Sequence, residues 1–134
     1  MEHEGLTEAI IGCAYRVYNR LGFGFLESVY GKALLIELER AGLSAAAEQS
    51  VDVFYDDLLV GHFVADILVE NCVILELKSV RALTTAHEVQ LVNYLTATGK
   101  PVGLLMNFGE RSVEVRRKLR RLPSPNPQNP VNPV

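Results

Sequence analysis

The chain has 134 residues and a mass of 14.8 kDa, the length of one domain with one core and too short for separate substrate and cofactor domains. Its 49% apolar and 22% charged residues are ordinary globular values and exclude a disordered chain or a collagen-like repeat; no apolar run reaches the roughly 18 residues of a membrane span, and Met1-Glu2-His3-Glu4 lacks the basic start of a signal peptide, so a cytoplasmic protein is expected. The net charge of −3 conceals a split, because residues 1–110 carry 7 Lys/Arg against 15 Asp/Glu and residues 111–134 carry 6 against 1.

Leu6, Ile10, Cys13, Ala14, Val17 and Leu21 recur at three- and four-residue steps, which predicts a helix over 6–21 ended by Gly22-Phe23-Gly24. A second helix is predicted over 25–41, with Leu26, Val29, Ala33, Leu34 and Leu38 as its buried stripe and Gly42 as its stop. The period then changes. Val51, Val53 and Tyr55 alternate with Ser50, Asp52 and Phe54, a strand closed by the turn residues Asp56-Asp57. Segments 60–69 and 73–79 are dense in β-branched and apolar side chains and read as an antiparallel hairpin about Glu70-Asn71-Cys72. Thr84 or Thr85 caps a helix over 86–98, Gly99-Lys100-Pro101 ends it, and a further strand runs from Val102 to Asn107. Residues 112–118 fit an edge strand and a short helix equally. From Pro123 onward, five of the six prolines and little apolar mass predict an extended, poorly ordered tail (123–134), leaving 1–122 as the single folded domain. Cys13 and Cys72 offer neither a disulfide framework nor CxxC metal spacing and are expected to be small, partly buried side chains.

Charges interrupt the apolar hairpin. Ile74, Glu76 and Lys78 share one face of its second strand and Val73, Leu75 and Leu77 the other, while Asp66 breaks the first strand. Burying such groups costs several kcal/mol, of the order of 3–5 for an unpartnered charge, unless they are paired or hold a metal. Register decides whether the acids meet. A two-residue Glu70-Asn71 turn sets Asp66 opposite Leu75, with the carboxylates on opposite faces; a three-residue Glu70–Cys72 loop sets Asp66 opposite Glu76. Two carboxylates about 5 Å apart beside a lysine repel without a cation, and oxygen ligands suit Mg²⁺ or Mn²⁺. An ExK triplet alone is a weak signal and reads more readily as a structural ion pair at a sheet edge. Two further groupings add to it: Gln90 and Tyr94 stand four apart on the following helix with His87 three before Gln90, and Glu27 and Tyr30 are an i, i+3 pair just after Gly24.

Together these residues resemble the PD-(D/E)XK nuclease superfamily and, within it, small bacterial proteins named for a GxxExxY motif, which stands here as Gly24-Phe25-Leu26-Glu27-Ser28-Val29-Tyr30. Asp66 matches the first acid, Glu76-Leu77-Lys78 the ExK, and Gln90-Leu91-Val92-Asn93-Tyr94 a QxxxY. The resemblance runs from about Leu6 to Phe108. Many relatives carry Val-His where this chain has Val17-Tyr18, and Gly-Pro-Gly where it has Gly22-Phe23-Gly24.

The resemblance implies an α/β, restriction-endonuclease-like αβββαβ core, a central mixed sheet flanked by helices. It implies a Mg²⁺- or Mn²⁺-dependent nuclease that hydrolyses nucleic acid, with DNA the expected substrate. Asp66, Glu76 and the Leu77 carbonyl would ligate the metal, with Glu27 completing the set directly or through water; Lys78 would orient water or stabilise phosphate charge, and Gln90 and Tyr94 would hold substrate or the lysine. Arg116, Arg117, Lys118, Arg120 and Arg121 would contact the phosphate backbone. The alternatives are a catalytically silent module that keeps this fold to bind nucleic acid or a protein, and a hydrolase of a small phosphoester. The acidic body of the chain opposes strong DNA affinity, so a homodimer or protein partner is a further expectation, and no membrane association is expected.

Overall fold

The computed structural model describes residues 3–121; the predicted proline-rich tail lies outside them. The elements are α1 (Glu4–Leu21), α2 (Glu27–Arg40), β1 (Ala45–Tyr55), β2 (Leu58–Val69), β3 (Val73–Lys78), α3 (Thr85–Thr98), β4 (Val102–Phe108) and β5 (Val113–Leu119). The strands form one five-stranded sheet in chain order. Only β3 and β4 run parallel, joined by α3 as crossover; every other neighbouring pair is antiparallel. α1 and α2 cover one face, packing Ala14, Val17, Leu34 and Leu38 onto Val69, Leu75 and Leu104. α3 covers the other, where Leu91 and Leu95 meet Phe63, Ile74 and Leu105. The expected α/β fold with a helix-flanked mixed sheet is therefore present.

The crossover helix lies close on β4 because position 103 is glycine. A Cβ there would stand 2.8 Å from Leu91 Cδ1, inside any real contact. Thr84 caps α3 as expected, and Gly99 ends it in the left-handed region at φ 72°. Three local expectations give way to tertiary structure, and one open choice is settled by it. β1 begins at Ala45 rather than near Ser50, because Ala45–Ala47 gain strand geometry by pairing with Val69–Ile67 rather than from any alternation of their own. Residues 113–119 form a strand, since β4 offers its free edge and Val113 is buried while Arg116 and Lys118 turn toward α3. α2 starts two residues later than predicted, at Glu27, so that Leu26 is its N-cap. Leu26 and Val29, assigned to the buried stripe, are exposed. Cys13 and Cys72 are not joined in a disulfide, Cys13 being buried and Cys72 half-buried. No helix among the described residues is long and apolar enough to cross a membrane.

Candidate active site

The β2–β3 loop has the odd length that lets the acids meet. Glu70 and Asn71 take left-handed φ values of 51° and 55°, Cys72 N–H donates to the Val69 carbonyl at 3.0 Å, and Val69 pairs with Val73. The β2–β3 ladder then runs only to Ile67–Leu75, whereas β3 stays paired with β4 as far as Lys78–Asn107. β2 parts from β3 at Asp66. Its carboxylate takes over from the lost ladder, Oδ2 accepting the Leu77 N–H at 2.8 Å. Asp66 also marks a change of face: Phe63 and Ala65 pack toward α3, but Ile67 and Val69 pack toward α1 and α2. Across the ladder at the same level, between the Ala47–Ile67 and Gln49–Ala65 pairs, Glu48 is left-handed at φ 51°. The irregularity thus crosses both strands, as bulges near sites commonly do.

Glu76 lies beside Asp66. Burial first, and then the Asp66 charge, push its carboxyl up to about 8, against an opposing pull from Lys78. The repulsion expected between two carboxylates is relieved by a proton held on Glu76 at neutral pH. Its Oε1 is buried with no hydrogen-bond partner, a costly state for an oxygen. Lys78, two residues further along the same face, is half-buried.

Glu27 is the first residue of α2 and is exposed. With Lys32, Glu48 and Asp66 it lines a cavity of about 430 Å³ between α2 and the sheet. Tyr30 fixes where it stands. Fully buried, Tyr30 stacks on Phe108 at 4.3 Å and 7°, donates its hydroxyl to the Gly22 carbonyl, and accepts the Phe25 N–H at 3.4 Å. Tyr30 is thereby a clamp on the loop that delivers Glu27. Ser79 donates to the Phe25 carbonyl at 3.0 Å and ties the same loop to the end of β3. Tyr18 donates to the Gly109 carbonyl at 2.6 Å, a structural tie between α1 and the end of β4.

On α3, Tyr94 stacks on Phe63 at 3.7 Å and 8°. Its hydroxyl is raised above the usual tyrosine range by burial and then by the Glu76 charge. Gln90 is exposed one turn earlier. His87 is engaged elsewhere: it closes the capping box with Thr84, its Nδ1 accepting the Thr84 N–H at 3.2 Å.

The basic run divides. Arg116 reaches Glu88 and Glu114, each at 2.7 Å, and Lys118 reaches Glu88 at 2.5 Å. These cations are committed to carboxylates of the same chain, and Glu88 is held below the usual carboxylate range chiefly by the Lys118 hydrogen bond. Arg117 alternates to the opposite face of β5 from Arg116. Arg120 and Arg121 are exposed, donating to the Gly99 carbonyl at 3.2 Å and Asn93 Oδ1 at 3.3 Å.

The Asp66 and Glu76 oxygens, one of them without a partner, have the hard donor chemistry of a Mg²⁺ or Mn²⁺ site. Among the described residues no three His, Cys, Asp or Glu side chains converge tightly enough to hold a metal unaided. Glu27 stands on the cavity wall with Asp66 rather than inside a ligand cluster. Sequence reasoning missed Glu48 and Lys32 on that wall. Glu48 becomes legible only once β1 is known to begin at Ala45, which puts it across from Asp66. Asn107 was missed too: buried and in register with Lys78, it accepts the Val80 N–H at 2.9 Å and donates to the Val80 carbonyl at 2.8 Å, fixing the strand just beyond the lysine.

A family model described as the PD-(D/E)XK nuclease superfamily matches residues 4–121. Among solved structures, the crystal structure of SSO0001 is similar at a TM-score of 0.57 and 17% identity, over 90% of this chain. The chain spans 61% of the length of that structure, and the likeness is one of fold. No curated protein matches the chain.

Proposed function

From a chain that belongs to the PD-(D/E)XK nuclease superfamily, we infer a cytoplasmic, divalent-metal-dependent phosphodiesterase that hydrolyses DNA, with Mg²⁺ or Mn²⁺ as its cation. The observation that carries this reading is the acid pair at the parting of β2 and β3, where Glu76 keeps a buried, unpartnered oxygen beside Asp66 and Lys78 follows on the same face. Asp66, Glu76 and the Leu77 carbonyl would hold the cation, with Glu27 acting through water; when bound, it supplies charge to polarise a phosphate oxygen and to acidify water. Asp66 is oriented by its bond to the Leu77 N–H. Lys78 positions the attacking water and stabilises charge on the phosphate in the transition state, in a register fixed by the Asn107 clamp on Val80. Tyr94, its ring fixed on Phe63, orders the α3 side of the pair, and Gln90 stands at the exposed rim to meet substrate. Backbone contacts fall to the exposed Arg120 and Arg121, because Arg116 and Lys118 are held by Glu88 and Glu114.

The test is incubation of the full chain with single-stranded, duplex and branched DNA and with RNA, in Mg²⁺ or Mn²⁺ and then in chelator. Cleavage of DNA that stops on chelation is expected. Cleavage that persists in chelator, or no cleavage together with no Mn²⁺-induced rise in melting temperature, overturns the reading. Binding of nucleic acid without cleavage would favour the silent module.

A further inference from the structure

Beside the site, the chain exposes apolar side chains on a backbone that is held rigidly. Phe23, Phe25 and Leu26 are 46%, 43% and 74% exposed, yet the loop carrying them is fastened at three points. Tyr30 binds the Gly22 carbonyl and the Phe25 N–H, and Ser79 binds the Phe25 carbonyl. Gly22 and Gly24, at φ 71° and 111°, permit the turn that turns these side chains outward. The loop directly precedes Glu27, and its anchor Ser79 directly follows Lys78. Past Ser79, Arg81 and Arg111 line an open depression with Gly109, the residue Tyr18 ties back to α1. Arg81 pairs with Glu110 at 3.1 Å, but both side chains are well exposed, so a phosphate can compete for the arginine.

We infer that the Gly22–Leu26 loop is a stacking platform for unpaired bases, which makes single-stranded nucleic acid the substrate class of the proposed nuclease. The inference rests on that nuclease reading and narrows it. Aromatic faces flanked by arginine are the chemistry that holds a single strand, because every base offers a π-face. In a duplex those faces are covered by neighbouring bases. Charge points the same way: the whole chain carries 13 Lys/Arg against 16 Asp/Glu, and Arg116 and Lys118 are held by Glu88 and Glu114, a poor match to the dense phosphate array of a duplex and a better one to a strand bound through its bases.

The test uses the Lys78→Ala protein in Mn²⁺, which is expected to bind without cutting, and an oligonucleotide containing 2-aminopurine, offered as a single strand and as a blunt duplex. The fluorescence of the single strand should be quenched on binding. Phe23→Leu with Phe25→Leu keeps apolar bulk but removes the flat faces, and should abolish the quench and weaken single-strand binding about tenfold while leaving duplex binding unchanged. Phe25 packs edge-on against Tyr30 at 6.1 Å, so the melting temperature is checked and Phe23→Leu alone provides a second variant. Unchanged single-strand affinity in both variants, or equal loss on strand and duplex, overturns this inference and leaves the nuclease reading standing. A dimer that dissociates in the variants also overturns it, in favour of a protein contact. Absence of any nucleic-acid binding by the parent protein overturns both.

Discussion

Two charged regions of this molecule are built in opposite ways. On β5, Arg116 and Lys118 are neutralised by Glu88 and Glu114 at 2.5–2.7 Å. At the end of β3, Glu76 is left with a buried oxygen that nothing partners and a carboxyl pushed up to about 8. Both regions stood out in the sequence, one as a late run of basic residues and the other as charges inside an apolar hairpin. The difference teaches that the density of charge says little by itself, and that a buried titratable group left without a partner is what marks a site.

The sharpest way to break this contrast is at Asp66, whose carboxylate serves both the proposed cation and the Leu77 N–H. Asp66→Ala should abolish cleavage and the Mn²⁺-induced rise in melting temperature, and should also cost the metal-free protein about 1–3 kcal/mol by orphaning that N–H. Asp66→Asn keeps an acceptor. It should restore most of the metal-free stability in a chemical melt yet not the cation response; equal behaviour of the two variants would show that Asp66 is purely structural. Lys78→Ala should lower the cleavage rate by about 10²–10³-fold, the usual loss of one electrostatic stabiliser, while the rise in melting temperature with Mn²⁺ persists, because a lysine is not a ligand. Loss of both together would make Lys78 a structural partner of Glu76.

A smaller effect is expected from pH. In chelator, the folded protein holds a proton on Glu76 that the unfolded chain releases near 4.5, so stability is complete below that pH and falls as pH rises toward about 8. The slope reaches at most about 1.4 kcal/mol per pH unit. Glu76→Gln should flatten it, which denaturant melts between pH 5 and about 8.5 would register; a wild-type curve already flat over that range would deny the buried proton. The smallest change is expected on β5. Glu88→Gln should leave the melting temperature nearly unmoved but free Lys118, while Glu114 still holds Arg116, steepening the salt dependence of nucleic-acid binding by up to about 1 in the log–log slope. Arg116→Ala in the parent protein should leave that slope alone, and a shallower slope would show that the ion pairs open to admit phosphate.

The sequence by itself determined the elements whose cause is local. The apolar steps of three and four in α1, Thr84 and Gly99 at the ends of α3, and Asp56-Asp57 at a turn each act through a few neighbouring residues, and each is found where it was expected. It also identified Asp66, Glu76 and Lys78 as the residues needing an explanation, since a charge inside an apolar strand is visible without coordinates. Tertiary structure alone decided the rest. Whether Asp66 met Glu76 hung on one residue of loop length, settled when Glu70 and Asn71 both took left-handed backbone. The first half of β1 exists because Val64–Val69 offers it a ladder, and only that pairing brings Glu48 across from Asp66. The strand over 113–119 and the fate of its arginines were likewise fixed from outside, by the free edge of β4 and by Glu88 on α3. The physical reason is common to all three: a hydrogen-bond partner or an opposite charge far away in the chain can outweigh a local preference of a few tenths of a kcal/mol, of the order of 0.2–1, and no local pattern records where that partner will stand.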